Sequence, residues 1–128
     1  IFMISTNVKY LGRYKIGNWV IIEDGVEIGD GVEIGDFSII RADVKIDKGV
    51  RIESHCLIEK SVTIESDVSI GAMSIISEGI TLSHGSKIEP LTVMKSNSRP
   101  FTHWLGNPAL FQGFTKKIDD RERPISGK

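Results

Sequence analysis

One cysteine, Cys56, is present in 128 residues. A lone thiol cannot close an internal disulfide, so the chain is not a stapled secreted scaffold. Cys56 reads instead as a small core residue in a reducing compartment. Basic runs are also missing and the formal net charge is -1, which argues against nucleic acid or an anionic membrane surface as the main partner. No apolar run approaches the length that spans a bilayer, and the start carries no charged-then-apolar leader. The expectation is a cytoplasmic protein with no membrane insertion.

What is present is repetition. The stretch from Asp24 to Phe37, DGVEIGDGVEIGDF, states nearly the same six residues twice and begins a third time. Stepping by six from Ile16 meets an apolar residue at every position through Ile22, Ile28, Ile34 and onward to Ile88 and Met94. Four residues later in each unit stand Val20, Val26, Val32, Ser38, Val44, Val50, Cys56 and their successors, all small or β-branched. Each unit is thus a short in-out-in strand followed by a turn. A period of six keeps no constant face on a helix of 3.6 residues per turn, which excludes helical structure.

The turns agree. Just before the small inward position stand Gly25, Gly31, Asp43, Gly49, Asp67, Gly79, Gly85 and Asn97, residue types that tolerate positive φ. Such units stack only as a solenoid, each coil hydrogen-bonded to the next at about 4.8 Å, with Ile and Val filling the axis. The length suits a single domain with a continuous core. Residues 16–99 form the repeat region, and residues 1–15 and 100–128, outside the rule, are expected to cover the two ends.

A period of eighteen lies beneath the six, as three units make one triangular turn. At one corner the positive-φ position reads Trp19, Phe37, His55, Met73 and Leu91, all bulky. The outward strand position just past it reads Ile21, Ile39, Leu57, Ile75 and Val93, where the other two faces carry Glu27, Lys45, Thr63, Thr81 and Glu33, Arg51, Ser69, Lys87. An apolar stripe on an otherwise polar prism marks an interaction surface. Self-association about an axis parallel to the stripe is the simplest way to bury it.

The units IGDGVE and IGDFSI, the stretch SIGAMSIISEGITL and the later Gly106, Asn107, Pro108, Ala109 resemble the hexapeptide-repeat acyltransferases. The resemblance covers residues 16 to about 112 and implies an all-β fold, a left-handed parallel β-helix of about five triangular coils with short caps, assembled as a homotrimer. Handedness comes from the resemblance alone. It further implies an acetyl-CoA-dependent acetyltransferase acting on a hydroxyl or amine of a sugar or nucleotide-linked sugar, in surface polysaccharide synthesis. The GNPA segment commonly closes the repeats in this family and lies near coenzyme A, so Lys95, Arg99, Gly106, Asn107, Pro108 and Ala109 are the coenzyme-binding candidates. A tight turn also accounts for Gly and Pro there. The chain has IEPLT where the family has an IGAGS-like segment, and it lacks the long loop that many sugar acetyltransferases project from a middle coil. Non-catalytic structural subunits share the repeat, and an assembly role is the alternative.

Family members place a histidine base in the groove between subunits, and His55 on the bulky corner is the candidate. An imidazole with an ordinary pKa near 6.5 suits proton removal. His55 also reads as a turn residue packed between Phe37 and Met73. His84 falls on another corner, and His103 precedes GNPA; both are read as solvated or coenzyme-edge residues. The stretch IIRADVKI is similar to the Arg-x-Asp stretch of the metal-dependent carbonic anhydrases that share the fold. Zinc would need three histidine nitrogens at about 2.0–2.1 Å, yet His55 and His84 lie roughly 8 Å apart along the axis by strand spacing. The repeats hold no third histidine, so no metal is expected.

Overall fold

The computed structural model describes residues 3–116. The tail expected over 117–128 lies outside the described residues, as do residues 1–2. Short strands punctuated by turns run along the described chain: β1 (Met3–Ile4), β2 (Lys9–Tyr10), β3 (Tyr14–Ile16), β4 (Ile21–Ile22), β5 (Glu27–Ile28), β6 (Val32–Ile34), β7 (Ile39–Ile40), β8 (Lys45–Ile46) and β9 (Arg51–Ile52). They continue as β10 (Leu57–Ile58), β11 (Thr63–Ile64), β12 (Ser69–Ile70), β13 (Ile75–Ile76), β14 (Thr81–Leu82), β15 (Lys87–Ile88), β16 (Val93–Met94), β17 (Thr102–Gly106) and β18 (Ala109–Phe114). No helix occurs among the described residues.

Every third strand pairs. The first sheet runs β1-β4-β7-β10-β13-β16, the second β14-β11-β8-β5-β2, and the third β18-β17-β15-β12-β9-β6-β3. All repeat pairings are parallel and in register at eighteen residues, as in Leu57 with Ile39 and with Ile75. Backbone bonds join each coil to the next, for example the Ile21 N–H to the Ser38 carbonyl at 3.0 Å and the Leu57 N–H to the Ser74 carbonyl at 3.0 Å. This is the left-handed parallel β-helix with capping segments that the resemblance implies.

The axis is filled as the six-residue column requires, with Ile22, Ile40, Ile58, Ile76, Leu82, Ile88 and Met94 all buried. Each such side chain contributes about 1.5–3 kcal/mol on burial. The register runs further toward the N-terminus than the boundary at residue 16. Lys9 pairs with Glu27 and Met3 with Ile21, so Ile4 and Tyr10 occupy the inward positions twelve and six residues before Ile16. The prism has about six coils, because these N-terminal strands pair in register and Tyr10, stacked on Tyr14 at 4.4 Å between ring centroids, stands at an aliphatic position of the added coil.

Corner residues adopt the left-handed conformation, with Gly25 at φ 78 and Asp43 and Asp67 near 60. At position 25 it is this φ that favours glycine, because the one close neighbour of an added Cβ is the end of a side chain that can turn away. A Cβ there would sit 2.2 Å from Asp43 Oδ1.

Asn97, on the corner above Gly79, departs from the expectation because its φ is not positive, while the next corner, above Gly85, is turned by Phe101 at φ 55. The Asn97 side chain accepts the Thr81 N–H at 2.8 Å, doing by side chain what the corners below do by backbone. The last coil is also shorter. Lys87 pairs with His103, sixteen residues on, where the coils below use eighteen. The chain then reverses into the antiparallel β17–β18 hairpin, which lays Trp104 and Ala109 against the end of the core.

Candidate active site

The bulky corner lies between the third sheet and the first. Trp19, Phe37, His55, Met73 and Leu91 all have φ between 58 and 63, a conformation that disfavours side chains with a Cβ. All five side chains point to solvent, and Trp19, Phe37, Met73 and Leu91 are half or more exposed. His55 stacks on Phe37 with ring centroids 4.9 Å apart. Its backbone N–H is held by the Asp36 carbonyl at 2.9 Å.

Beneath the corner runs a polar column at eighteen-residue spacing. Ser38 Oγ donates to the Glu53 carbonyl at 3.0 Å, Cys56 Sγ to the Gly71 carbonyl at 3.2 Å, and Ser74 Oγ to the Glu89 carbonyl at 3.0 Å. The Cys56 N–H reaches back to Ser38 Oγ at 3.2 Å and the Thr92 N–H to Ser74 Oγ at 3.3 Å. These buried groups tie adjacent coils together under the positions that carry the bulky side chains. Burial pushes the Cys56 thiol above its ordinary pKa. The column was visible in the sequence as hydroxyl or thiol residues at Ser38, Cys56, Ser74 and Thr92, but their size alone was read.

The GNPA segment is the tip of the β17–β18 hairpin, with Gly106 paired to Ala109 and the Asn107–Pro108 peptide cis. The Gly106 N–H donates to Thr92 Oγ1 at 3.3 Å. Since β17 continues the third sheet one coil above β15, the tip sits over Pro90 and Leu91 on the same corner as His55. Three coils separate His55 from Asn107, about 14 Å along the axis.

Not all candidates converge. Lys95 follows β16 and lies at the opposite edge of the first sheet, and Arg99 follows the Ser98 bridge to the second sheet. Both are exposed. They share the level of the last coil with the hairpin but not its corner. The Arg99 carbonyl accepts the Ser86 and Thr102 hydroxyls.

His84 occupies the corner between the second and third sheets. Its Nδ1 is 3.7 Å from Glu65 Oε1, and its ring meets Phe101 edge-on at 4.7 Å. His103 bonds through Nε2 to the Glu89 carboxylate, which Lys87 Nζ also approaches at 3.8 Å. This carboxylate partner was missed because the shortened last coil, not the repeat, brings residue 103 beside residue 89. Among the described residues no cluster of three or more His, Cys, Asp or Glu side chains is arranged to hold a metal ion. No helix there is long and apolar enough to cross a membrane.

A stacked β-helix with a bulky corner and an apolar face defines a fold class, and known proteins are similar to it in part. The family described as bacterial transferase hexapeptide (six repeats) matches residues 25–60. The hexapeptide repeat of residues 25–60 is thus similar to that of this family. No curated protein matches the sequence of the chain significantly.

Solved structures share the fold at low identity. A maltose O-acetyltransferase from Clostridium difficile 630 superposes with a TM-score of 0.80 at 17% identity, over 87% of this chain and 72% of that one. An N-acyltransferase from Bacillus cereus, in complex with dTDP and 3-hydroxybutyryl-CoA, gives a TM-score of 0.64 at 16% identity, over 90% and 80%. A mutant of perosamine N-acetyltransferase from Caulobacter crescentus, in complex with CoA and GDP-perosamine, gives 0.61 at 20% identity, over 88% of this chain. The chain spans 57% of the length of that last protein.

Proposed function

We propose that the protein is an acetyl-CoA-dependent acetyltransferase acting on a hydroxyl or amine of a sugar or nucleotide-linked sugar, in surface polysaccharide synthesis. The observation that carries this reading is that His55 and the GNPA turn stand on one ridge, bordered by the apolar first face. The structural neighbours that bind CoA and nucleotide sugars support it. The acceptor oxygen or nitrogen attacks the thioester carbonyl while its proton passes to the neutral His55 imidazole. Backbone N–H groups stabilise the tetrahedral oxyanion. The C–S bond then breaks, and the proton passes from the His55 imidazolium to the departing thiolate.

Coenzyme binding falls to Gly106, Asn107, Pro108 and Ala109 at the ridge top, with Lys95 and Arg99 as the cations at the same level for the phosphates. The groove is completed in a homotrimer that buries the apolar face. The free, buried Cys56 thiol suits a cytoplasmic setting. One observation favours the alternative of a non-catalytic assembly subunit: the His55 ring packs on Phe37, as a residue merely filling its turn would. Calorimetric titration with coenzyme A decides between them, because an assembly subunit gives no binding heat.

A further inference from the structure

Charge is unevenly spread along the chain. Residues 1–89 hold nine lysines and arginines against fourteen aspartates and glutamates, whereas residues 90–128 hold seven against three, and no aspartate or glutamate occurs between Pro90 and Lys116. The net charge of -1 hides this segregation.

The cationic stretch builds the end of the prism that the β17–β18 hairpin closes. Lys95 stands at the edge of the first sheet after β16, Arg99 follows the bridge of Ser98 to Leu82 on the second, and Lys116 Nζ lies 3.8 Å from the centre of the Phe101 ring. All three are exposed. The hairpin itself presents Leu105, Leu110, Phe111 and Phe114 to solvent, with Leu110 the most open at 65%. Trp104, packed against the core, holds this group in place, since its ring meets Phe111 at 5.9 Å and Phe111 meets Phe114 at 5.5 Å. No residue of β18 is charged, so the patch is apolar and its rim is basic. The opposite end also exposes apolar side chains, among them Leu11 and Tyr14. There, however, Lys9 and Lys15 stand cross-strand to the carboxylate residues Glu27 and Glu33.

We propose that the hairpin end of the prism docks on an anionic lipid bilayer, with its cations at the headgroups and Leu105, Leu110, Phe111 and Phe114 pressed toward the acyl boundary. Apolar contact and attraction to anionic lipid add in such docking. A surface fits better than a small anion because Lys95 and Arg99 occupy different corners, so only a flat array of charges met along the axis reaches both at once. The prism stands on end against the membrane. Such docking is independent of acetyl transfer.

Sedimentation with vesicles tests this, using phosphatidylcholine with and without phosphatidylglycerol. The parent chain should pellet with the anionic vesicles, less so as salt is raised, and stay in solution with phosphatidylcholine alone. Leu110→Asp should weaken binding at least about tenfold, as should Lys116→Glu, which reverses a charge near the surface. Lys116 is not among the residues assigned to the coenzyme, so its variant reports on the lipid contact alone. Leu110→Ser, the milder variant, should fall between Leu110→Asp and the parent, and Leu11→Asp at the other end should bind as the parent does. Circular dichroism and thermal unfolding establish that each variant is folded. A parent chain that ignores anionic vesicles overturns the proposal, as does undiminished binding by the folded Leu110 and Lys116 variants or a loss confined to Leu11→Asp. If Leu110→Asp instead lowers the number of copies that light scattering reports without lipid, the patch is a contact between copies and the bilayer is not its partner.

Discussion

His55 is held in a left-handed turn at φ 58, where asparagine is the side chain of closest tolerance. His55→Asn therefore keeps the turn and removes the imidazole, a cleaner change than alanine. If His55 is the base, turnover with a hydroxyl acceptor falls by about 10²–10⁴-fold while coenzyme affinity is unchanged, and steady-state kinetics beside calorimetry separates the two. A folded Asn variant that keeps most of its turnover would make His55 a turn residue and point to an amine acceptor that arrives deprotonated. Its sequence neighbour Cys56 faces the interior, where burial raises the thiol pKa from the ordinary 9.0. The folded chain thus holds this proton more tightly than the unfolded chain does. The resulting stability is complete below the unfolded thiol pKa and is lost as pH rises through the folded value. Cys56→Ser retains a donor for the Gly71 carbonyl but does not titrate, so urea unfolding between neutral and alkaline pH should show a flatter decline than the parent.

The hydroxyl column ties one coil to the next where the corner needs support. Ser74 Oγ both donates to the Glu89 carbonyl and accepts the Thr92 N–H. Ser74→Ala leaves those two buried groups without this partner, at a cost of about 1–3 kcal/mol, measurable as a lower urea midpoint with an unchanged slope. A loss no larger than that of a surface Ser→Ala control would show that the column is incidental. Repetition also explains what could be read from the sequence. Every coil meets the same surroundings, so Ile22, Ile40 and Ile58 announce their column by spacing alone, and the bulky ridge that carries His55 follows from the period of eighteen. What breaks the period was hidden. Asn97 replaces a left-handed corner with a side-chain bond, Tyr10 stands for an aliphatic residue at an open end, and the His103–Glu89 pair exists only because the last coil is two residues short. Lys95 and Arg99 were grouped with GNPA through chain proximity, whereas a triangular coil carries residues a few positions apart onto different faces.

At the scale of the molecule the prism is asymmetric, and this governs assembly. Its second face is polar and carries the ion pair of Lys45 Nζ with Glu27 Oε2 at 3.4 Å. The third face has Arg51 Nε 3.8 Å from Glu33 Oε1. The first face presents Ile21, Ile39, Leu57, Ile75 and Val93 stacked in one ladder, flanked by the exposed bulky corner. A contiguous apolar strip running parallel to the coil axis can be buried on every copy at once by rotation about a parallel axis, and three triangular prisms meet this way without leaving an open contact. The proposed trimer therefore depends on the middle of the strip. Leu57 sits there between Ile39 and Ile75, and its side chain points away from the core, so Leu57→Arg changes the seam without disturbing the axis. Each copy would then bring an unpaired cation into a desolvated contact, a change that strongly destabilises such a seam. Light scattering should report three copies for the parent and a folded monomer for Leu57→Arg. A monomeric parent would end the trimer proposal and leave the apolar face to a different partner.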